Sequence, residues 1–446
     1  MTIRKILIAN RGEIASRIIQ TCQRLKIKTV AIYSEADEQM PYVRAADEAY
    51  LIGPPPVFQS YLRMDEIIKV ALNAEVDAIH PGYGFLSENG NFVDRCEKEG
   101  ITFIGPSSEV IKMMGSKIEA RKRMKELGVP IVPGSEQSIE SVEEALQIAG
   151  SIGYPIMLKA SAGGGGIGME LVYSDVELEK AFTSTKSRSE KFFGDSSIFI
   201  EKYIENPRHI EMQIAVDSYG NAVHLFEREC SVQRRHQKVL EESPSPSISE
   251  AQWNELKDAA IRGAKGIGYR NVGTMEFIFD QQGEFYFLEM NTRLQVEHPV
   301  TEEITGLDLV EWQIEIANLK PLPLDQERIS RYGHAMECRI YAEDPVRFFP
   351  SPGKIHQLNW PENVRIETGI ENETTITPFY DPMIAKIISK GATREEAALK
   401  MRAALMDTVI QGIKTNIPLL LEVLDNEEFQ KGFYSTNLIK RMQEKN

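Results

Sequence analysis

The chain has 446 residues, 42% of them apolar and 26% charged, with a formal net charge of −15. That length and composition suit a globular protein of about three domains with ample buried core, and exclude a disordered tail, a collagen or a small disulfide scaffold. The acidic balance disfavours nucleic acid and anionic membranes as partners, because neutralising phosphates takes a basic surface, yet it leaves room for a local basic pocket that holds a small anion.

In chain order, an apolar run over 5–9 predicts a buried strand, and Ile14, Ile18, Cys22 and Leu25 fall on one face of a helix over 13–25. A strand over 29–33, a helix over 61–73, short strands over 78–80 and 103–105 and a helix from Ser108 continue the alternation. Such alternation implies a doubly wound parallel sheet with helices on both faces. Two prolines and two glycines over 127–134 mark a linker. A smaller α+β unit then runs to about Tyr203, with a helix over 141–149, strands over 155–159 and 170–173 around a glycine loop, and a further helix. Beyond it the pattern predicts strands over 209–216 and 222–228, a helix over 250–266, and strands over 274–279 and 285–290 joined at 281–283. The region after Pro350 is mixed and ends in helices, and the Ser/Pro patch at 243–247 reads as a loop. No apolar run reaches membrane-spanning length, and the N-terminus enters a strand directly, without a signal peptide's apolar core. Cys22, Cys96, Cys230 and Cys338 form no CxxC pair and read as reduced thiols of a cytoplasmic protein.

Several segments carry chemistry. Ser161-Ala162-Gly163-Gly164-Gly165-Gly166-Ile167-Gly168 lies between two predicted strands. It reads either as a flexible surface hairpin or as a flap whose backbone N–H groups approach an anion, with Lys159 at the end of the preceding strand as a phosphate ligand. It is neither a Walker A loop nor a dinucleotide fingerprint, since no Gly-Lys-Ser/Thr and no helix follows. In the hairpin, a turn centred between Gln282 and Gly283 sets Glu276 opposite Glu289. Opposed carboxylates about 5 Å apart repel unless a cation lies between them. Period-two alternation then puts Phe285, Phe287, Glu289, Asn291 and Arg293 on one face, so Glu276, Glu289 and Asn291 converge as an all-oxygen set suited to Mg²⁺ or Mn²⁺. Arg293, Gln295, Glu297 and His298 follow at once; a guanidinium grips a planar anion in bidentate fashion, and a carboxylate beside it serves as general base. The run Gln233-Arg234-Arg235-His236-Gln237-Lys238 is either a charged loop or part of the site, and in extended conformation His236 and Lys238 point the same way. The segment 80–89 begins where ligand crevices of parallel sheets open, although its glycines also suit a plain turn.

Together these stretches, with Ile8-Ala9-Asn10-Arg11-Gly12-Glu13-Ile14-Ala15 and Gly333-His334-Ala335-Met336-Glu337-Cys338-Arg339-Ile340, resemble the biotin carboxylase family of ATP-grasp enzymes over nearly the whole chain. The resemblance implies a domain order of 1–115 (Rossmann-like), 116–317 (ATP-grasp, with a lid at 132–203) and 318–446. It also implies a reaction: ATP and bicarbonate give carboxyphosphate, which supplies CO₂ to N1 of biotin on a carrier protein. By resemblance, Lys117, Lys159, Gly165, Gly166, Gln233 and His236 belong to the nucleotide site, Glu201, Lys202, Tyr203 and Ile204 form its adenine hinge, and His209 sits near the ribose. Glu276, Glu289 and Asn291 bind two metal ions. Lys238, Arg293, Gln295 and the Val296 backbone hold bicarbonate, Glu297 deprotonates it, and Arg339 stabilises the biotin enolate.

Ile167 departs from the family pattern, since many relatives carry Arg or Lys there, and Ala162 replaces a glycine of some relatives. The chain has no Ala-Met-Lys-Met segment. It therefore reads as a free-standing, homodimeric subunit that needs a separate biotin carboxyl carrier protein and carboxyltransferase subunits, most simply those of acetyl-CoA carboxylase in fatty acid synthesis. Service to a propionyl-CoA, methylcrotonyl-CoA or pyruvate carboxylase stays open, as do another ATP-grasp ligase and a catalytically silent relative.

Overall fold

The computed structural model describes residues 2–135, 137–160, 169–193 and 196–445. Gly165, Gly166, Ile167 and Ala162 lie outside the described residues. Strands β1 (Lys5–Ile8), β2 (Lys28–Ser34), β3 (Glu48–Gly53), β4 (Ala78–His80) and β5 (Thr102–Phe103) pair in parallel in the order β3-β2-β1-β4-β5. Side chains alternate across β1. Ile6 and Ile8 pack on Ile14 and Ile18 of helix α1 (Gly12–Arg24), while Leu7 packs with Ile67 and Ile68 of the helix Met64–Asn73 on the other face. Both faces are thus covered, as a parallel sheet requires.

Strand β3 and the helix Gly90–Lys98 are absent from the sequence reading. The strand lies at the sheet edge and is only half-buried, so it has no continuous apolar run to betray it. The helix is short and mostly polar, and its Asn89 cap, which accepts from the Phe92 N–H at 3.1 Å, is its clearest local signal. The predicted helix over 61–73 begins only at Met64, because Tyr61 is drawn into the core and bonds Asp37 and Tyr42.

The lid carries a three-stranded antiparallel sheet, order β7-β6-β8, from β6 (Ile156–Ala160), β7 (Met169–Val172) and β8 (Ile198–Lys202). The helix Val142–Ile152 precedes it in sequence, and the helix Asp175–Phe193 connects β7 to β8. The largest sheet has eight antiparallel strands. It runs β13-β12-β9-β10-β11-β14 and then through Met383–Gly391 to Arg365–Thr368, with β9 (Arg208–Val216), β10 (Ala222–Arg234), β11 (Gln237–Ser243), β12 (Asn271–Phe279), β13 (Phe285–Asn291) and β14 (His334–Tyr341). The β11–β14 pairing carries one sheet from the central part of the chain into the C-terminal part. The helix Glu250–Gly266 covers one face through Leu256, Ala260 and Ala264, against Ile210, Met212, Ile214, Met275, Phe277 and Phe279. That packing leaves the other face of β9 and β12 to polar side chains.

Two local expectations need correction. The strand predicted over 222–228 continues to Arg234 and turns tightly: Arg234 pairs with Gln237, and Arg235 and His236 both have positive φ, 50° and 67°. His236 is therefore at an exposed turn and not in one extended run with Lys238. The second concerns β12–β13. The pairs nearest the turn, Phe279↔Phe285 and Phe277↔Phe287, centre the hairpin on Gln282, one half-step from the expected centre. A β-bulge between Glu276 and Phe277 then adds a residue on β13 and restores Glu276↔Glu289. The bulge also switches faces. Phe285, Phe287 and Met290 enter the core, whereas Leu288 and Glu289 both turn outward, so Glu289 and Asn291 do not share a face with the two phenylalanines. A regular strand would have buried Glu289.

All four cysteines are buried and free. Burial pushes the Cys22 and Cys96 thiols up to about 12, which leaves them unreactive. Among the described residues no helix is long and apolar enough to cross a membrane.

Candidate active site

One cleft of about 620 Å³ opens between the lid strands and the polar face of the large sheet, and every described residue assigned to the site from sequence lines it. Its floor follows from strand alternation and register. On β9, His209, Glu211 and Gln213 share the face opposite Ile210, Met212 and Ile214, which enter the core; His209 lines the cleft, and Glu211 and Gln213 lie buried beneath it. Across the sheet, Arg228 on β10 pairs with Glu211, Glu211 with Glu276, and Glu276 with Glu289. One guanidinium and three carboxylates therefore stand in a row across four adjacent strands.

Like charges in such a row need compensation. Arg228 is wholly buried; it pairs with Glu211 and donates to Gln213 Oε1 at 2.6 Å, Thr301 Oγ1 at 2.9 Å, Thr274 Oγ1 at 3.1 Å and Gln295 Oε1 at 2.8 Å. Lys238 on β11 donates to Glu211 at 2.7 Å, Glu276 at 2.9 Å and Glu297 at 2.6 Å. Burial alone would lower its pKa, but the three carboxylates hold the ammonium well above its ordinary range. Glu276 also accepts from Asn291 Nδ2 at 2.8 Å and Gln295 Nε2 at 2.6 Å. His209 Nε2 lies 2.7 Å from its other oxygen. Burial pushes the Glu276 carboxyl up, yet Lys238 and His209 keep it well below the usual carboxylate range. Its partner Glu289 goes the opposite way: desolvation in the cleft and the facing Glu276 both raise it. Opposed carboxylates fit a hard divalent cation, which would relieve that repulsion.

The segment after β13 closes this end. Arg293 donates to Asn291 Oδ1 at 2.6 Å and to Glu88 at 2.8 Å, and Glu88 also accepts from the Thr292 N–H at 3.1 Å. Glu297 is buried and bridges Lys238 to Arg339, whose Nη2 donates to it at 2.9 Å. Burial opposes its ionisation, but Lys238, Arg339 and Arg228 hold Glu297 far below the ordinary carboxylate range. Arg339 Nη2 also lies 2.5 Å from Glu241, whose carboxyl burial pushes up to about 7 against the pull of Arg339.

At the other end Lys117, Lys159, Glu201, Tyr203 and Ile204 line the lid side. Lys159 pairs with Glu201, which Arg121 also holds. The Lys202 ammonium donates away from the cleft, to the carbonyls of Gly153 at 3.0 Å and Tyr154 at 2.9 Å, so only its backbone faces a ligand. Gln233 Nε2 is 3.0 Å from His209 Nδ1 and ties that ring to β10. His80 does not line the cleft; it is buried, and its Nδ1 accepts from the Gly82 N–H at 3.0 Å, which makes it a turn residue.

Sequence reasoning missed Glu211, Arg228 and Glu88. Polar residues at 209, 211 and 213 alternating with apolar ones were a legible signal for Glu211. Arg228 had none, since a wholly buried arginine is rare. Glu88 reaches Arg293 across 205 positions, which no local pattern encodes.

A cleft with cations at both ends and paired carboxylates between them is built to move a phosphoryl group between anions. Family models match three consecutive stretches: "Biotin carboxylase, N-terminal domain" over residues 2–111, "Carbamoyl-phosphate synthase L chain, ATP binding domain" over 116–325 and "Biotin carboxylase C-terminal domain" over 337–441. Biotin carboxylase 2 of Bacillus subtilis is 58% identical over 439 residues, covering 98% of this chain and 99% of that one. Biotin carboxylase of Campylobacter jejuni, solved as a beta-gamma-ATP complex, superposes with a TM-score of 0.95 at 47% identity, over 98% of this chain and 99% of that one. The biotin carboxylase domain dimer of Hydrogenobacter thermophilus 2-oxoglutarate carboxylase, solved with MgADP, ADP and bicarbonate, gives 0.93 at 47% identity, over 99% and 98%. The chain belongs to the biotin carboxylase family of ATP-dependent ligases.

Proposed function

We propose that this cleft carries out the ATP- and bicarbonate-dependent carboxylation of biotin on a biotin carboxyl carrier protein, through carboxyphosphate. The observation that carries the reading is the row Arg228–Glu211–Glu276–Glu289 crossed by Lys238, with Arg293 and Arg339 beside it. Lys117, Lys159, Gly165, Gly166, Gln233 and His236 take the nucleotide's polar groups, the backbone of 201–204 its adenine, and His209 its ribose side. Glu276, Glu289 and Asn291 would hold two Mg²⁺ or Mn²⁺ ions, which supply charge neutralisation for phosphoryl transfer.

Lys238, Arg293, Gln295 and the Val296 backbone hold bicarbonate in line with the γ-phosphoryl group. Glu297 accepts its proton, and the surrounding cations keep Glu297 in the ionised state a base needs. Bicarbonate oxygen bonds to phosphorus as ADP leaves. Carboxyphosphate then yields CO₂ and phosphate beside Arg339; the released phosphate takes the N1 proton of biotin, the guanidinium stabilises charge on the ureido oxygen, and N1 bonds to CO₂. Carboxyphosphate is labile, so closure of the lid over the cleft serves to exclude water.

We assign the chain three parts, 1–115, 116–317 with its lid at 132–203, and 318–446, and a homodimeric, cytoplasmic subunit working with a carrier and carboxyltransferase of acetyl-CoA carboxylase. Likeness to the 2-oxoglutarate carboxylase domain supports service to a keto-acid carboxylase as the second reading. The test is ATP cleavage with Mg²⁺ and bicarbonate, with and without free biotin. Biotin-stimulated, bicarbonate-dependent ADP release with carboxybiotin formed is expected. Cleavage indifferent to biotin would mean another ATP-grasp ligase.

A further inference from the structure

Lys386 lies on the strand Met383–Gly391, directly opposite Arg339 in register, and is completely buried. A buried ammonium is expensive unless it is paired and hydrogen-bonded. The ammonium donates to the Val296 carbonyl at 2.7 Å, and Glu13 at the start of α1 lies 3.5 Å away. Val296 sits in the segment between β13 and the helix His298–Thr305, outside every strand and helix. No sheet ladder holds its backbone. Its neighbours do the gripping: Gln295 donates to Glu276 at 2.6 Å, and Glu297 accepts from Lys238 at 2.6 Å and Arg339 at 2.9 Å. Because a peptide unit is planar, fixing the Val296 carbonyl fixes the Glu297 Cα and the direction from which its side chain enters the cleft.

We propose that Lys386 is a positioning residue for the bicarbonate end of the cleft, pinning the Val296–Glu297 peptide through the Val296 carbonyl while Glu13 holds the far side of the ammonium. It touches no substrate and does not line the cleft. The lysine and its two contacts come from three distant parts of the chain, a C-terminal strand, the 292–297 segment and α1, so one side chain registers all three against the reacting group. The proposal rests on the reading that Glu297 and Val296 meet bicarbonate.

Lys386→Met keeps the unbranched stem and removes the donor. Steady-state kinetics on the purified full chain, varying bicarbonate and ATP separately, should show kcat/KM for bicarbonate lowered at least tenfold with the KM for ATP within twofold of wild type. Unchanged bicarbonate kinetics overturns the proposal, and so does an equal loss for both substrates, which is what a merely structural lysine gives. If Lys386→Met does not fold, Glu13→Gln is the variant to measure; it keeps the Lys386 donor and should raise the KM for bicarbonate several-fold, and an unchanged value overturns the proposal. Lys238→Ala in the same assay separates the two levels. Impaired bicarbonate use there with normal use in Lys386→Met refutes the positioning role alone, whereas normal use in both refutes the underlying reading and the proposal with it.

Discussion

Lys238 is surrounded by Glu211, Glu276 and Glu297, and the balance among these four groups governs what the site can do. Removing the ammonium leaves buried carboxylates uncompensated, a loss of about 3–5 kcal/mol for a broken buried pair. Lys238→Ala should therefore lower the thermal midpoint and reduce bicarbonate-dependent turnover by roughly 10²-fold or more, as deletion of a preorganised charge does. Wild-type turnover in that variant would remove Lys238 from the reaction. A second residue-scale effect belongs to His80. Burial holds its ring down at about 3 against an ordinary 6.5. Between those values the unfolded chain takes up a proton that the folded chain refuses, so the His80 contribution is complete above 6.5 and is lost as pH falls toward 3. Several buried carboxyls, Glu241 among them, are shifted upward and act with the opposite sign, so the informative quantity is a difference between proteins. The stability advantage of wild type over His80→Gln should shrink by about 2 kcal/mol between pH 6.5 and 5, measured by denaturant unfolding at each pH. A constant difference would mean that the ring titrates alike in the folded and unfolded chain.

At the scale of elements, the β12–β13 hairpin decides the acidic pair. The sequence reading reached Glu276 opposite Glu289 from the wrong turn centre, and the structure reaches it through a bulge. The two errors cancel in the pairing but not in the faces, because alternation carried through Leu288 reverses every later side chain. Pattern alone could not locate the bulge, since Phe285, Phe287, Glu289 and Asn291 form an unbroken period of two. The measurable consequence is metal dependence. Glu276→Gln with Glu289→Gln should shift the Mg²⁺ activation curve for ATP cleavage to at least tenfold higher concentration. Glu289→Gln alone should shift it less, because Glu276 retains Lys238 and His209 as partners. An unaltered curve in the double variant would place the ions elsewhere.

For the whole molecule, the cleft lies between a lid and a sheet that are joined in sequence by the short stretch between β8 and β9. A ligand touching both should stabilise the folded state by mass action. A non-hydrolysable ATP analogue with Mg²⁺ at about 100 times its Kd should contribute ~2.7 kcal/mol and raise the thermal midpoint by a few degrees. No shift would contradict a nucleotide spanning lid and sheet. The amino-acid sequence by itself determined the parallel N-terminal sheet apart from its edge strand β3, the helix Glu250–Gly266, the lid strands β6 and β7 and the residue types of the site, because these rest on local periodicity and on motifs contiguous in the chain. Only the tertiary structure decided that Lys202 turns away, that His236 sits on a tight turn, that Arg228 and Glu211 complete the acidic row, and that Glu88 and Lys386 brace the 292–297 segment. Those are contacts between residues far apart in the chain, fixed by strand register and burial, and neither quantity is encoded in any short window of sequence.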